Sequence, residues 1–509
     1  MVFYGGQRVP FLCAPQQSWT GLQPVFFEYP KYTKVNTRQA EACPTNFEAP
    51  RVILSPKKMS TVEPVPPPTP KENLADPPFS TDKGDARIGA SALRKAGVRL
   101  IPLIAIAYGV AYTDRVNISF AALQMNRDLH FSASSYGLGA GLFFLSYAAC
   151  EIPSNLLLYR FGASRWIARI MITWGLLAMG MMFVKTPLEF YAVRFLLGMA
   201  EAGFFPGVVY YLSQWFPASV RARTVSQFYV ALPLSSVFMG GLAGALLNLQ
   251  GRMGLAGWQW LFLAEGFPAV ILSVIFLLYL PNTPAEAKWL TAEEREWLVE
   301  QLRADNSAIG ERHGEGALRA ILNPRVWQLG LFLLCIYIGF YAFSFSAPVL
   351  IQQATGLSNT NVGFAVAFMG ILGGLGLVLN GHHSDRAGER YLHLAVPCLL
   401  IALAFVVGGL TVAPIFALPA YAIIFIGFNA TAGPAWALAS SFLTGRSAAA
   451  AIATANTIAI VGGFLGPYWM GRARDFTGNY ETGLMTLAIP AFAGAAILLF
   501  MRREASRSK

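Results

Sequence analysis

Five charged residues interrupt stretches of this sequence that are otherwise apolar enough to span a lipid bilayer. Asp114 and Arg115 lie in the first such stretch, Glu151 in the second, and Arg194 and Glu201 in the fourth. A charged side chain at the bilayer centre costs about 2.5–3.5 kcal/mol on insertion scales. Such residues persist where they pair with one another or meet a charged species that crosses the membrane. The pattern therefore predicts a transporter whose cargo or coupling ion is charged.

Arg115 and Arg194 are the predicted binding residues for an anion. A guanidinium stays protonated, and its planar fork of N–H groups matches the two oxygens of a carboxylate. The two arginines lie in different apolar stretches, so they can converge on one cavity. The alternative is that each arginine only neutralises a neighbouring acid.

Asp114 and Glu201 are the predicted proton carriers. Arg194 and Glu201 are close to two helical turns apart and should share one helix face. Burial favours the neutral form of a carboxyl group, whereas a nearby arginine favours the ionised form. An anion that engages the arginine would release its hold on the acid. The alternative is a permanently ionised pair that serves packing.

The elements that must position these residues are membrane helices. The chain has 509 residues, of which 55% are hydrophobic and only 13% are charged, whereas soluble domains carry about 25% charge. Twelve apolar spans of roughly membrane-crossing length follow residue 99. The spans are 99–123, 134–157, 166–184, 188–213, 224–248, 258–280, 325–352, 360–381, 391–410, 413–440, 447–470 and 479–501. We therefore predict an all-α membrane protein with twelve transmembrane helices in two six-helix halves.

The distribution of polar segments predicts the domain boundaries. The domains are a cytoplasmic, disordered N-terminal tail 1–98, an N-terminal half 99–281, a cytoplasmic central loop 282–324, a C-terminal half 325–503 and a cytoplasmic tail 504–509. A further hypothesis is that Met59 is the native start, which would place 1–58 outside the protein. Within the central loop, Thr291 and Glu294 stand in capping-box register and predict a short amphipathic helix on the membrane surface.

Loop charges predict the orientation in the membrane. With both termini inside, the odd-numbered, outer loops hold five basic residues, Arg127, Lys185, Arg252, Arg472 and Arg474. The other loops and tails carry most of the remaining lysines and arginines, which is the positive-inside pattern of an inner-membrane protein. This distribution also explains the net charge of +11 without a nucleic-acid partner.

Motifs for other classes of function are missing from the sequence. We find no phosphate-binding loop, no nucleophile elbow and no metal-ligand spacing among the five histidines or the cysteines. We therefore expect no enzyme activity, no cofactor and no metal. The fifth span also lacks the glycine–proline signature of drug antiporters.

Two short segments repeat between the halves. RFGASR at 160–165 follows the second span, and GHHSDRAGER at 381–390 follows the eighth. The second segment resembles the signature loop of the major facilitators through Gly381, Asp385, Arg386, Gly388 and Arg390. Such a loop is a tight cytoplasmic turn whose charges clamp neighbouring helix ends in one state of the cycle, so we predict a gating role for it.

Longer strings resemble one branch of that superfamily. YTDRVNISFA at 112–121, RFLLGMAEAGFFPGVVYYLSQWFP at 194–217 and NTPAEAKWLTAEERE at 282–296 are similar to the anion:cation symporters. Within that branch the chain resembles bacterial permeases for tartrate, phthalate, 4-hydroxyphenylacetate and sugar acids. The resemblance implies the major facilitator fold and uptake of a small organic anion with protons. It also implies anion binding at Arg115 and Arg194 and proton coupling at Asp114 and Glu201.

The resemblance adds four candidate substrate contacts. Tyr112, Tyr147, Trp436 and Asn456 match polar or aromatic cavity positions of related sugar-acid carriers. Glu151 and Glu265 are expected to be structural acids. The expected partners are a small carboxylate, protons and the lipid bilayer, and the expected state is a monomer. An exporter or uniporter of organic anions, or a membrane sensor that does not transport, remain the alternatives.

Overall fold

A computed structural model describes residues 83–229, 231–311, 322–441 and 445–507 of the chain. Residues 1–82 of the predicted tail therefore lie outside the described residues. The hypothesis about Met59 concerns this same part of the chain. The N-terminal half consists of α1 Lys83–Asp128, α2 Ala133–Phe161, α3 Ala163–Gly180, α4 Pro187–Glu201, α5 Phe204–Ser213, α6 Ala218–Tyr229, α7 Ala231–Leu247 and α8 Gly257–Tyr279. The central loop contains α9 Ala292–Glu311. The C-terminal half consists of α10 Pro324–Thr355, α11 Asn359–Ala387, α12 Tyr391–Leu410, α13 Pro414–Ser441, α14 Gly445–Thr477, α15 Glu481–Thr486 and α16 Ala488–Arg507.

The twelve predicted spans are confirmed as helical. Within the described residues, ten helices are long and apolar enough to cross a membrane. The two remaining spans are the fifth, which α6 and α7 form, and the eleventh, which is α14. The fourth span is divided between α4 and α5 because Ala202 leaves the helical conformation, with a ψ of 131°, and Gly203 has a φ of +86°.

Local sequence signals set several helix boundaries. Thr186 and Glu189 form a capping box at the start of α4, and Ser358 accepts a hydrogen bond from the Asn361 backbone N–H at the start of α11. At the other end of α11, Gly388 adopts a φ of +62°, which glycine tolerates without a steric penalty. Gly162 has a φ of +87° and lets α2 end and α3 begin within one residue.

The first helix begins earlier than predicted, at Lys83, so residues 83–98 are helical and do not belong to a disordered tail. The physical reason is that the central-loop helix packs against this extension. Ser91 and Lys95 both donate to the Glu294 carboxylate, at 2.7 and 2.9 Å. The Thr291–Glu294 capping box at the start of α9 forms as predicted.

Apolar side chains separate into two buried clusters and an exposed belt. One cluster is drawn mainly from the N-terminal half and the other from the C-terminal half, which agrees with two six-helix halves. Large apolar side chains are also exposed around the bundle, including Ile152, Leu278, Leu379 and Ile415. Exposed apolar surface of this extent fits contact with lipid.

The two halves meet closely at the start of α2 and the end of α14. The Asp475 carboxylate on α14 accepts hydrogen bonds from the backbone N–H groups of Ala133 and Ser134, at 3.0 and 2.9 Å. Gly471 allows the approach, because a Cβ there would collide with the Ala133 carbonyl. In the predicted orientation this contact lies on the outer side of the membrane.

Candidate functional site

An ion pair between α1 and α4 forms the centre of the candidate site. The Nη2 of Arg115 donates to the Glu201 carboxylate. The Arg115 side chain is 24% exposed and that of Glu201 is 1% exposed. The other Glu201 oxygen has no hydrogen-bond partner among the described residues. A solvent-accessible arginine thus holds a buried acid, and an incoming anion can compete with that acid for the arginine.

Arg194 is buried, at 1% exposure, and it is held by backbone rather than by Glu201. Its Nε and Nη2 groups donate to the carbonyls of Gly139 and Ala140 in α2, both at 3.4 Å. Asp114 is the principal acidic neighbour of Arg194, and the two interact electrostatically without a hydrogen bond. Arg194 and Glu201 belong to one helix as predicted, but the acid is hydrogen-bonded to the arginine of another helix.

One aromatic ring lies beside both arginines. The Phe143 ring centroid is 5.4 Å from the Arg115 guanidinium carbon and 4.8 Å from that of Arg194. The Tyr147 ring, one helical turn further along α2, lies 5.2 Å from Arg115. A ring face attracts a cation within about 6 Å. The α2 aromatics therefore hold the two guanidinium groups in one place.

Glycines bring α2 and α4 close enough for these contacts. A Cβ at Gly139 would collide with the Phe190 ring, and a Cβ at Gly198 would collide with the Phe143 carbonyl. Small residues at helix interfaces permit this approach in membranes. Without it, Arg194 would not reach the α2 carbonyls.

Asp114 is also buried, at 1% exposure, and neither of its carboxylate oxygens has a hydrogen-bond partner among the described residues. Asn117, one turn along α1, and Glu265 on α8 are its polar neighbours, together with the arginines and Glu201. A buried acid without a formed hydrogen bond is costly to ionise, so this position suits reversible protonation.

Tyr341 of α10 is a residue of the second half that belongs to the site. Its hydroxyl lies near Arg115, and Tyr112 of α1 is a further neighbour of that hydroxyl. The Tyr341 ring also packs on Phe144, with the centroids 4.3 Å apart. The candidate site thus spans both halves, which is where parallel-repeat transporters place their substrate.

Two predicted candidates, Trp436 and Asn456, belong to the C-terminal half. Trp436 packs against the second apolar cluster, and Asn456 is half-buried on α14. In the described part of the chain, no hydrogen bond or ion pair joins either residue to Arg115 or Arg194. Their role as substrate contacts remains a prediction. Glu151 is a half-buried neighbour of Arg115 and Tyr147.

The signature loop forms a compact charge network at the α11–α12 turn. The Nη1 of Arg390 lies 2.6 Å from Asp385 and also donates to the Ser384 hydroxyl at 2.9 Å. Glu389 lies 3.6 Å from Arg502 of α16. Gly381 lies inside α11 and Gly388 at the turn, and a Cβ at either position would meet open space. Arg386 is exposed. The loop therefore connects helix ends of its own half, and its gating role remains a prediction.

Sequence reasoning missed several residues of the site. Phe143, Tyr341 and Asn117 are not among the residues predicted from the sequence, and Glu265 is predicted only as a structural acid. Phe143 lies four residues before Tyr147 and so shares its helix face, which is a signal that the sequence does contain. Tyr341 belongs to the other half, and no periodicity places it beside Arg115.

Comparison with known proteins gives one consistent result. The profile of the Major Facilitator Superfamily matches residues 104–467. A putative tartrate transporter of Agrobacterium vitis is 45% identical over 415 residues, which are 81% of this chain and 95% of that protein. A quinolone resistance transporter of Acinetobacter baumannii is 40% identical over 82% of this chain and 96% of its own length.

Solved structures agree on the fold. A bacterial homologue of the human lysosomal transporter Spinster, in an inward-facing and occupied conformation, superimposes with a TM-score of 0.66. The match covers 79% of this chain and 96% of that chain at 16% sequence identity. At this identity the likeness concerns the arrangement of the helices.

Proposed function

Because this chain belongs to the Major Facilitator Superfamily and is a membrane transporter of an organic substrate, we propose that it carries a small carboxylate together with protons into the cell. The single observation that carries the proposal is the Arg115–Glu201 ion pair, in which a partly exposed base holds a buried acid. The tartrate transporter name of the Agrobacterium relative supports a hydroxylated dicarboxylate as the first probe.

The proposed cycle starts when a substrate carboxylate approaches Arg115. The guanidinium can form a bidentate bond with the incoming anion, and Glu201 then loses the hydrogen bond that stabilises its charge. A buried carboxylate without a partner is strongly unfavourable, so Glu201 takes up a proton. Binding of the anion and binding of the proton thereby favour each other, as symport requires.

Arg194 and Asp114 form the second pair of the proposed cycle. Arg194 is held against the α2 carbonyls and remains a fixed positive charge beside Asp114. Asp114 can then gain or lose a proton while the local charge stays small. All four groups come from one chain, so the proposal needs only a monomer. The proposed location is the inner membrane with both termini in the cytoplasm, which the positive-inside pattern supports.

Uptake into proteoliposomes tests the proposal. Wild-type protein should accumulate radiolabelled L-tartrate when the outside is made acidic, and threitol, its uncharged polyol analogue, should not compete. Glu201→Gln should lose this accumulation and keep tartrate exchange at equal pH. Glu300→Gln, an exposed glutamate of α9, is the matched control.

Two outcomes would contradict the proposal. Accumulation by Glu201→Gln at the wild-type level would remove the coupling role of this acid. If no carboxylate in a panel of hydroxy, aromatic and sugar acids were bound or transported by folded protein, the anion site itself would be wrong.

Export is the second candidate function. The quinolone resistance name of the Acinetobacter relative favours it, and a quinolone is itself an aromatic carboxylate that an arginine site can accept. Inverted vesicles separate the two directions, because an exporter would accumulate its substrate in them when the lumen is acidified.

A further inference from the structure

Glu265 is a third buried acid, and the proposed cycle leaves it unused. It lies in the middle of α8, its residue is 3% exposed, and neither carboxyl oxygen has a hydrogen-bond partner among the described residues. Its polar neighbours are the Asp114 carboxyl group and the Asn117 amide, both on α1. The nearest charge to Glu265 is therefore another acid.

Within the described part of the chain, α3 and α7 place no base beside Glu265. α3 meets this level of α8 at Gly175, where a Cβ would lie 2.8 Å from the Gly266 carbonyl. The two arginines of α3, Arg165 and Arg169, lie near its start. α7 contains no titratable residue.

The balance of charges at the site also favours a neutral Glu265. Asp114, Glu201 and Glu265 would together carry three negative charges if ionised, against two positive charges on Arg115 and Arg194. A substrate carboxylate would increase the excess. An uncompensated charge in a buried site is strongly disfavoured, and Glu265 is the acid with no arginine beside it.

Asn117 connects Glu265 to Asp114. Its amide is 1% exposed, both polar atoms lack formed hydrogen bonds, and it neighbours both acids. A protonated carboxyl can donate to the amide oxygen, and the amide N–H₂ can then donate to an ionised carboxylate. An ionised Glu265 would compete for the same N–H₂ group.

We propose that Glu265 stays protonated throughout the cycle and acts as a positioning residue for the proton carrier Asp114. Its O–H donates to the Asn117 carbonyl oxygen, which turns the Asn117 N–H₂ toward Asp114. The oriented amide stabilises the ionised form of Asp114 and so sets the pH at which that group takes up its proton. This inference rests on the proposed proton coupling at Asp114.

Infrared spectroscopy of the purified protein tests the protonation without any substrate. A protonated carboxyl has a C=O band that is separate from the carboxylate bands. This band should persist at neutral and mildly alkaline pH in the wild type and disappear in Glu265→Gln. An unchanged spectrum in folded Glu265→Gln would overturn the inference, even if tartrate transport failed entirely.

The pH profile of tartrate uptake tests the positioning role. Glu265→Gln keeps an N–H donor for Asn117 and should retain the wild-type profile. Glu265→Leu and Asn117→Ala should each move the alkaline limb to higher pH by about one unit, the shift that loss of one such hydrogen bond produces. The double variant should shift no further, because the two residues act in series.

An ionised Glu265 would give a different pH profile. If Glu265 were ionised, its removal would relieve repulsion on Asp114, and both Glu265→Gln and Glu265→Leu would shift the limb to lower pH. If both variants kept the wild-type profile, Glu265 would be structural only. A wild-type protein without pH-dependent uptake would contradict the proposed function instead, and the infrared result would still decide the state of Glu265.

Discussion

Arg115 and Glu201 are 86 positions apart in the sequence, yet they form a direct ion pair between α1 and α4. The acid is buried and the base is partly exposed. Because of this asymmetry, an incoming anion can reach Arg115 but not Glu201. When Glu201 loses its arginine partner, it can be neutralised only by a proton.

Replacement of Arg115 by lysine should weaken anion binding. Lysine keeps the positive charge but loses the planar fork that matches a carboxylate. We expect tartrate affinity to fall by roughly tenfold to a hundredfold, because hydrogen bonds to charged groups contribute about 1.5–3 kcal/mol. Isothermal titration of the detergent-solubilised protein measures this change. Arg303→Lys on α9 is a control that should leave the affinity unaltered.

Replacement of Phe143 by leucine should disturb both arginines together. The ring is within 5.4 Å of each guanidinium carbon, and a cation–π contact contributes about 0.5–2 kcal/mol. We expect weaker tartrate binding, because leucine remains apolar at this buried position but lacks the ring face. Phe368→Leu, on the exposed surface of α11, is the matched control. Equal affinity in the Phe143 variant and the wild type would show that the ring does not position the arginines.

Replacement of Asp475 by asparagine should loosen the contact between α2 and α14. The carboxylate accepts from two backbone N–H groups at a helix N-terminus, where a negative charge is favoured by about 0.3–1 kcal/mol. Spin labels at the exposed Leu188 and Phe476 should report a longer distance component in the variant. A distance distribution identical to the wild type would mean that packing at Gly471 alone holds this end closed.

Two N-terminal deletions should distinguish the role of residues 1–82 from that of the start of α1. Deletion of residues 1–82 should preserve tartrate uptake, because all the predicted membrane spans and all the candidate site residues follow this segment in the sequence. Deletion of 1–98 removes Gly89, Ser91 and Lys95, which contact α9 through Trp297 and Glu294. We expect this longer deletion to lower the thermal unfolding midpoint and the yield of folded protein. Loss of uptake in the shorter deletion would instead assign a function to the N-terminal segment.

The contact between α1 and α9 should depend on pH through Glu294. Burial raises the pKa of this carboxyl, but hydrogen bonds from Lys95, the Thr291 backbone and Ser91 outweigh it and lower the pKa to about 2. A pKa below the unfolded value means that the stabilisation is complete above about pH 4.5 and is lost as pH falls towards 2.

Glu294→Gln tests this dependence. The variant should have a lower unfolding midpoint at neutral pH, and the difference from the wild type should shrink as the pH falls from about 4.5 towards 2. Glu296→Gln, an exposed neighbour on the same helix, should match the wild type at every pH. A constant difference across this range would show that the ionised Glu294 is not what holds α9 on α1.

The sequence by itself determined the helices and the presence of buried charge. Apolar spans of membrane length, capping residues such as Thr291 with Glu294, and glycines such as Gly388 act over a few residues, so each can be interpreted locally. The same reasoning identified Asp114, Arg115, Arg194 and Glu201, because a charge inside an apolar span is conspicuous in any single sequence.

Only the tertiary structure decided which of these charges meet. Helical periodicity places Arg194 and Glu201 on one face, but it says nothing about the partner that a neighbouring helix offers. The structure pairs Glu201 with Arg115, holds Arg194 on the α2 carbonyls, and brings Tyr341 and Glu265 to the site. The Arg194 contact depends on the close crossing of α2 and α4 at Gly139 and Gly198, where packing between segments distant in the sequence sets the distance.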